Sequence, residues 1–523
     1  MKSLYSIIIP LLLLLACTSG CQKSFLDRPS LSQITSDNFY QSTADLRLAT
    51  AALYGGATWF DYNAFPYLTI GDVLSGNLLQ PYNADLVQFT TFSITGDNNQ
   101  LAATWRSFYK IVGQCNVTIK AFHDKAPASI PAKDINAALA EARFIRATVY
   151  FHLVQLWGAV PIIEDNTKLI DSSLLRRNLV SDVYKFIASD LTFAARNLPA
   201  TDAAGRLTTW SAQGMLGKVY LTWAGLNQNL TRNQALLDSA KLYAGNVCNK
   251  SGLSLLPSYY NLFRTQFNDN PESLFALQWA PGVGYGLGNS LQAQFAPSGD
   301  VVTGGGGWGG AIGPTYDLYT LYTAQDSIRR KASFMLTGDL YSELNAAGGG
   351  YRATACNLKK HVVGTAADNN SPTMDLWSSI EHNALLRLAD VYLIYAEAIL
   401  GNNASTADGE ALKYFNKVRT RAGVDPAPLL TADTLFRERR IELAYESQFW
   451  LDLVRLSYYN PQKAIDAINN QKRQLFTYSN GIATPTPYNV AITPATINTF
   501  TLPIPATELT ADPKLSEPPV AYY

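Results

Sequence analysis

The sequence predicts a mainly α-helical fold, a scaffold of tetratricopeptide-like helix pairs carrying one large, irregular, loop-rich subdomain. Three observations lead there. First, residues 131–157 form the strongest pattern in the chain. Ile135, Leu139, Ala142, Val149, Leu153 and Leu156 share one stripe, and Phe144, Phe151 and Val154 fill much of the opposite side. A helix apolar nearly all round is buried between other helices, so this one needs partners on several sides. Second, helical periodicity recurs at 43–59, 101–122, 181–198, 208–224, 232–247, 385–400 and 431–456. Leu216-Gly217-x-x-Tyr220 has the spacing of a tetratricopeptide first helix, although Gln213 replaces the preferred Trp, and Ala411-x-x-x-Phe415 with Pro426 resembles a second half. Third, Gly, Pro, Asn and Tyr dominate residues 251–383 and the periodicity is mostly lost. A loop region of that length in a compact protein is usually functional.

Taken in order, residues 1–16 read as a leader. Met1-Lys2-Ser3 is a short basic start, and Leu4 to Ala16 is apolar except for Ser6 and Pro10. The run is shorter than the roughly 20 residues that span a bilayer, and its length suits a signal peptide. It ends Leu14-Leu15-Ala16-Cys17, a bacterial lipobox, with Thr18-Ser19-Gly20-Cys21 as a second candidate. Either cysteine would carry lipid and tether the protein without spanning; an ordinary cleaved signal is the competing reading. Residues 17–36 then serve as anchor and extended lead-in. Residues 37–250 form an N-terminal helical scaffold with binding loops at 59–99, where Asp, Asn and Gly cluster around Pro81. Ser42 or Thr43 caps its first helix, and Ser181 caps the one at 181–198. Pro131 suits the first turn of the central helix, which Gly158 and Pro161 stop. The irregular insertion at 251–383 follows, and then a C-terminal scaffold at 384–523. Pro503, Pro505, Pro513, Pro518 and Pro519 make the tail from Phe500 extended rather than helical.

Composition narrows the function. Lys+Arg 41 balance Asp+Glu 41, so no basic excess argues for nucleic acid. With 29 Tyr, 22 Phe and 9 Trp, the chain suits stacking on neutral, hydroxyl-rich ligands, but also large helical cores. The four histidines (123, 152, 361 and 382) form no zinc motif, and there is no P-loop or Gly-x-Ser-x-Gly elbow. Cys115, Cys248 and Cys356 read as buried thiols, with one disulfide open in an oxidising compartment. Glu141, Arg143, Arg146 and the charges from Arg437 to Glu446 read as buried ion pairs fixing helix register. No cofactor is implied. Asn268-Asp269-Asn270 and Asp97-Asn98-Asn99 offer oxygens for a structural calcium, but lack the EF-hand spacing and read as plain turns.

The leading binding candidate is Trp308, inside Gly304-Gly-Gly-Gly-Trp308-Gly-Gly. An indole among glycines either offers its face to a sugar ring or plugs the core beneath a flexible loop. Trp279, Tyr285, Trp59, Tyr62, Tyr82 and Asn83 are further candidates in the irregular stretches. Trp105, Trp157, Trp210, Trp223 and Trp450 sit in helical patterns and read as core.

Several stretches together resemble the SusD/RagB family of outer-membrane nutrient-binding lipoproteins. They are the lipobox with Phe25-Leu-Asp-Arg-Pro29, Glu141-Ala-Arg-Phe-Ile-Arg-Ala through Leu156-Trp-Gly-Ala-Val-Pro161, and Arg387-Leu-Ala-Asp-Val-Tyr-Leu-Ile-Tyr-Ala-Glu-Ala398. Asn416-Lys-Val-Arg-Thr-Arg-Ala-Gly423, Arg437-Glu-Arg-Arg-Ile-Glu-Leu-Ala-Tyr-Glu446 and Leu502-Pro-Ile-Pro505 complete them. The resemblance implies a SusD-like fold, a lipid-anchored position on the outer membrane facing the cell exterior, and a SusC-like TonB-dependent transporter as partner. It implies capture of an oligosaccharide or, in the RagB branch, a peptide, without catalysis. A secreted glycan-degrading enzyme is the reading from a different class.

Overall fold

The computed structural model describes residues 39–280 and 287–523. The lipidation candidates Cys17 and Cys21, and the binding candidate Tyr285, lie outside the described residues.

The N-terminal half is a run of helices: α1 (Thr43–Ala51), α2 (Ala84–Thr91), α3 (Asn99–Lys125), α4 (Ala132–Trp157), α5 (Val180–Asn197), α6 (Thr209–Trp223) and α7 (Gln234–Lys250). The central helix foreseen at 131–157 is α4, and it is buried from Ala138 to Trp157 apart from Arg143. It packs between α3 and α5, and the stack continues through α5–α6 and α6–α7. Ser42 closes a capping box with Asp45 at the start of α1, and Thr208 does the same with Ser211 at α6. The expected cap at Ser181 is corrected: α5 begins one residue earlier, with Leu179 in the cap position. The predicted helix at 43–59 is also shortened, because the chain turns at Gly55 and Gly56, the latter with φ 55°. The loops at 59–99 contain more structure than expected, including α2 and a buried wide turn at Thr69–Val73.

The stack resumes with α8 (Leu388–Leu400), which lies against α6 and α7, and then α9 (Gly409–Arg421), α10 (Ala432–Glu442), α11 (Phe449–Ser457) and α12 (Pro461–Asn469). The single long helix expected at 431–456 is broken into α10 and α11. Tyr445 and Ser447 take left-handed backbone, φ 63° and 59°. Their N–H groups donate to the Asp72 carboxylate at 3.0 and 3.2 Å. Burial raises this carboxyl to about 6 despite those donors. A local helical pattern has yielded to a distant buried acceptor. The tail is corrected too: α13 (Ala506–Ala511) fits between Pro505 and Pro513, since proline bars a helix interior but suits its first turn.

Short antiparallel ribbons tie the insertion to this frame. β1 (Leu78–Leu79) pairs with β3 (Gly313–Pro314) and β2 (Ser273–Leu277) with β4 (Asn383–Arg387), while β5 (Phe476–Ser479) and β6 (Ile482–Pro485) form a hairpin outside the insertion. One cluster of buried apolar residues runs from Leu46 to Leu515 and includes the insertion. Cys115, Cys248 and Cys356 are free thiols. No helix among the described residues is long and apolar enough to cross a membrane.

The charges buried at Glu141, Arg146 and from Glu438 to Glu446 are paired as the pattern required, whereas Arg437 is exposed and donates to Leu321 O. Arg146 grips Asp190 at 2.8 and 3.0 Å, with Asn116 on its remaining nitrogen. Glu141 accepts from Arg206 and Tyr54. Burial opposes the charge on Glu397, but Arg455 and Arg232 overcome it and hold its pKa at about 2. Burial holds His152 down at about 4. Melting temperature is therefore expected to fall as pH drops from 6.5 to 4, because unfolded His152 takes a proton that the native site refuses. The Glu397 contribution, complete above about 4.5, is then lost on the way to about 2. Thermal scans of the wild type against His152→Gln check the first step: the variant loses that part of the slope.

Candidate functional site

Three segments distant in sequence place aromatic rings side by side at the surface. The rings of Trp308 and Phe65 stack with centroids 5.7 Å apart and planes 15° from parallel. The Trp377 ring meets Trp308 at 4.8 Å, edge to face. Trp308 is 49% exposed, while Phe65 and Trp377 are half-buried. The indole is thus neither a core plug nor free: it is propped from two sides with much of its surface open.

The glycines explain how the loop is fixed. The Trp308 N–H donates to Ala293 O at 2.8 Å, and that of Gly309 to Ala296 O at 3.1 Å. A Cβ on Gly307 would lie 2.3 Å from Ala296 O, and one on Gly309 2.0 Å from Phe295 O. Only glycine lets this loop press onto the backbone at 293–296. The main chain under Trp308 is pinned while its side chain points outward.

Below the platform runs a chain of buried amides. Trp279 Nε1 donates to Asn383 Oδ1 at 2.8 Å, Asn383 Nδ2 to Asn63 Oδ1 at 2.8 Å, and Asn63 Nδ2 to Asn289 Oδ1 at 2.9 Å. Asn289 Nδ2 donates to Glu381 O at 2.8 Å, and its backbone pairs with Ser379. Asn63 lies two residues before Phe65, Ser379 two after Trp377, and Asn289 opens the segment that pins Trp308. The relay therefore fixes the bases of all three ring-bearing segments. Glu381 also meets His361 Nδ1 at 2.8 Å. Burial opposes the His361 charge, yet Glu381 raises its pKa above the ordinary value. Asn63→Leu would leave Asn383 Nδ2 buried without its acceptor, while Asn289 Oδ1 keeps the Leu291 N–H, at a cost of about 2 kcal/mol. Urea denaturation checks the loss, with faster hydrogen exchange expected first at 62–66, 289–296 and 379–383.

Of the candidates read from sequence, Trp308 lies at the centre of this platform. Tyr82 is 81% exposed, and Asn83 caps α2 through bonds from the N–H groups of Asp85 and Leu86. Trp59, Tyr62 and Trp279 are corrected to core positions. Trp59 Nε1 is spent on Leu53 O, Tyr62 Oη sits 3.4 Å from Ser447 Oγ, and Trp279 Nε1 serves the relay. All three are buried and offer a ligand no face. Phe65 and Trp377 went unremarked because neither sits in a distinctive motif; only folding brings them to Trp308. The oxygens of the 268–270 turn are engaged: Asn268 Oδ1 accepts from His382 N, Asp269 Oδ1 lies 3.0 Å from His382 Nδ1, and Asn270 Oδ1 accepts from Glu272 N. Asn98 caps α3. Among the described residues no group of three or more His, Cys, Asp or Glu is arranged around a metal-sized space.

The stack of paired helices thus carries surface rings from its N-terminal part (Phe65) and from its irregular insertion (Trp308 and Trp377). Comparison with known proteins then gives the family. Residues 340–522 match the SusD family model, and residues 25–221 match one described as starch-binding, associating with outer membrane. A SusD-like protein of Bacteroides ovatus is 37% identical over the whole chain and 98% of its own length. SusD-like protein P2 of Formosa agariphila is 27% identical over 86% of this chain and 91% of its own. A crystal structure with xylogluco-oligosaccharide superposes with a TM-score of 0.85 at 35% identity, covering 91% of this chain and 99% of that one. A laminarin-binding SusD-like protein shares the fold, with a TM-score of 0.68 at 23% identity over 90% of this chain and 98% of its own. The chain belongs to the SusD family.

Proposed function

We propose that this protein captures an oligosaccharide on the Trp308–Phe65–Trp377 platform and passes it, chemically unchanged, to a SusC-like TonB-dependent transporter. The half-exposed indole of Trp308, propped by two other rings on a pinned backbone, carries this reading. A flat apolar face matches the axial C–H surface of a pyranose, and a fixed one binds without an ordering cost. The 35%-identical neighbour with xylogluco-oligosaccharide supports a glycan over a peptide. Lipid attachment at Cys17 or Cys21 would hold the protein at the outer membrane, facing outward. Affinity is modest, because release to the transporter must follow.

Calorimetric titration with xylogluco-oligosaccharides, laminari-oligosaccharides and a peptide mixture, followed by mass analysis of the recovered ligand, tests this. An intact glycan that binds is the expected result. Cleaved products would establish the enzyme reading, and binding of peptides alone the RagB-like one.

A further inference from the structure

Phe65 also lines a second feature, a cavity of about 490 Å³. That volume falls within the roughly 300–1,000 Å³ typical of small-molecule sites. Phe60, Ala64, Phe65, Pro66 and Ala103 give it apolar walls, and Asp61, Gln100, Arg106 and Lys110 bring polar groups. Phe65 is the wall this cavity shares with the aromatic platform.

The polar groups are not equivalent. Lys110 Nζ is held by Asp61 Oδ2 at 2.8 Å, which neutralises both. Arg106, one turn of α3 earlier, is exposed, and no carboxylate pairs with it among the described residues. The cavity therefore carries one uncompensated positive charge, in a protein whose Lys+Arg 41 equal its Asp+Glu 41. A guanidinium presents a planar fork of donors that fits a carboxylate or sulfate bidentately, and it does not lose its charge. An aromatic wall beside that fork suits a pyranose ring bearing an anionic substituent.

We propose that this cavity is a second subsite, taking an acidic sugar branch, carboxylate- or sulfate-bearing, that hangs from a glycan chain on the platform. The glycan chain rests on the function proposed above; the subsite's charge preference does not. A neutral backbone would lie across Trp308 while its acidic branch turns past Phe65 and meets Arg106. The protein would then select charged decorations on a neutral main chain.

Free monosaccharides test the cavity without the platform. D-glucuronate, glucose 6-sulfate and glucose are titrated by NMR into the wild type, Arg106→Gln and Trp308→Ala at low and at 0.15 M salt. Either anion is expected to bind about tenfold more tightly than glucose. That preference should vanish in Arg106→Gln, persist in Trp308→Ala and weaken with salt. Equal binding of all three sugars to the wild type overturns the proposal, as does a preference that survives Arg106→Gln. If instead Trp308→Ala leaves a neutral oligosaccharide's affinity untouched, the platform reading fails while the acidic subsite stands.

Discussion

Trp308→Ala lowers affinity for a bound oligosaccharide by about thirtyfold or more, with the melting temperature almost unchanged. The first part follows from the ring's place at the centre of the platform. An exposed aromatic anchor that the ligand covers is worth about 2 kcal/mol or more on truncation, and each 1.4 kcal/mol is about tenfold. The loss is compounded because Trp377, which meets the indole edge to face, loses that support once it is gone. The second part follows from exposure: the side chain is 49% exposed already, and the loop is held by backbone bonds that alanine keeps. Calorimetry and thermal unfolding on the same preparation separate the two. Trp308→Phe should recover part of the affinity. A large stability loss in Trp308→Ala would mean that the indole is a structural plug. Unchanged affinity would place the glycan elsewhere.

The scaffold was legible in the sequence because its signals are local. The all-round apolar face of α4 states its burial, and the charges of 438–446 among apolar residues state that they must be paired. The break between α10 and α11 was not legible. Its cause is Asp72, more than 370 positions away along the chain, whose carboxylate draws two N–H groups out of helical geometry. The site was half legible for the same reason. Trp308 declared itself through its glycines, which mark a close backbone approach. Trp59, Tyr62 and Trp279 share its residue type and its irregular surroundings, and nothing local separates a ring that faces solvent from one folded under. Phe65 and Trp377 join the platform through asparagines at 63, 289 and 383, a tertiary relation with no periodic trace.

Arg387→Met destabilises the protein by roughly 3–5 kcal/mol at pH 7, the largest stability loss expected of any single change considered. Arg387 is buried at the end of β4, with Nε and Nη2 on Glu446 at 2.6 and 2.7 Å and Nη1 on Glu272 at 2.6 Å and Glu442 at 3.2 Å. These belong to a cluster in which Arg329, Lys360, Arg387, Arg419 and Arg421 balance Glu272, Asp326, Glu438, Glu442 and Glu446. It locks β4, α9, α10 and the insertion into one register. Five cations against five carboxylates leave no spare charge, so methionine would strand one carboxylate in the interior. The pH dependence identifies that cause. In the wild type, burial disfavours the Glu446 charge, but Arg387 and Lys360 overcome it and hold its pKa at about 2. Its stabilisation is therefore complete above about 4.5 and is lost as pH falls toward about 2. Without Arg387 that pKa rises, a proton restores neutrality, and the gap between variant and wild type should narrow between pH 7 and 5. Urea denaturation at the two pH values measures it. A gap of equal size at both would assign the loss to packing. Adding Glu446→Gln to Arg387→Met should recover part of the stability, since it removes the surplus negative charge while the amide oxygen can still accept from Lys360.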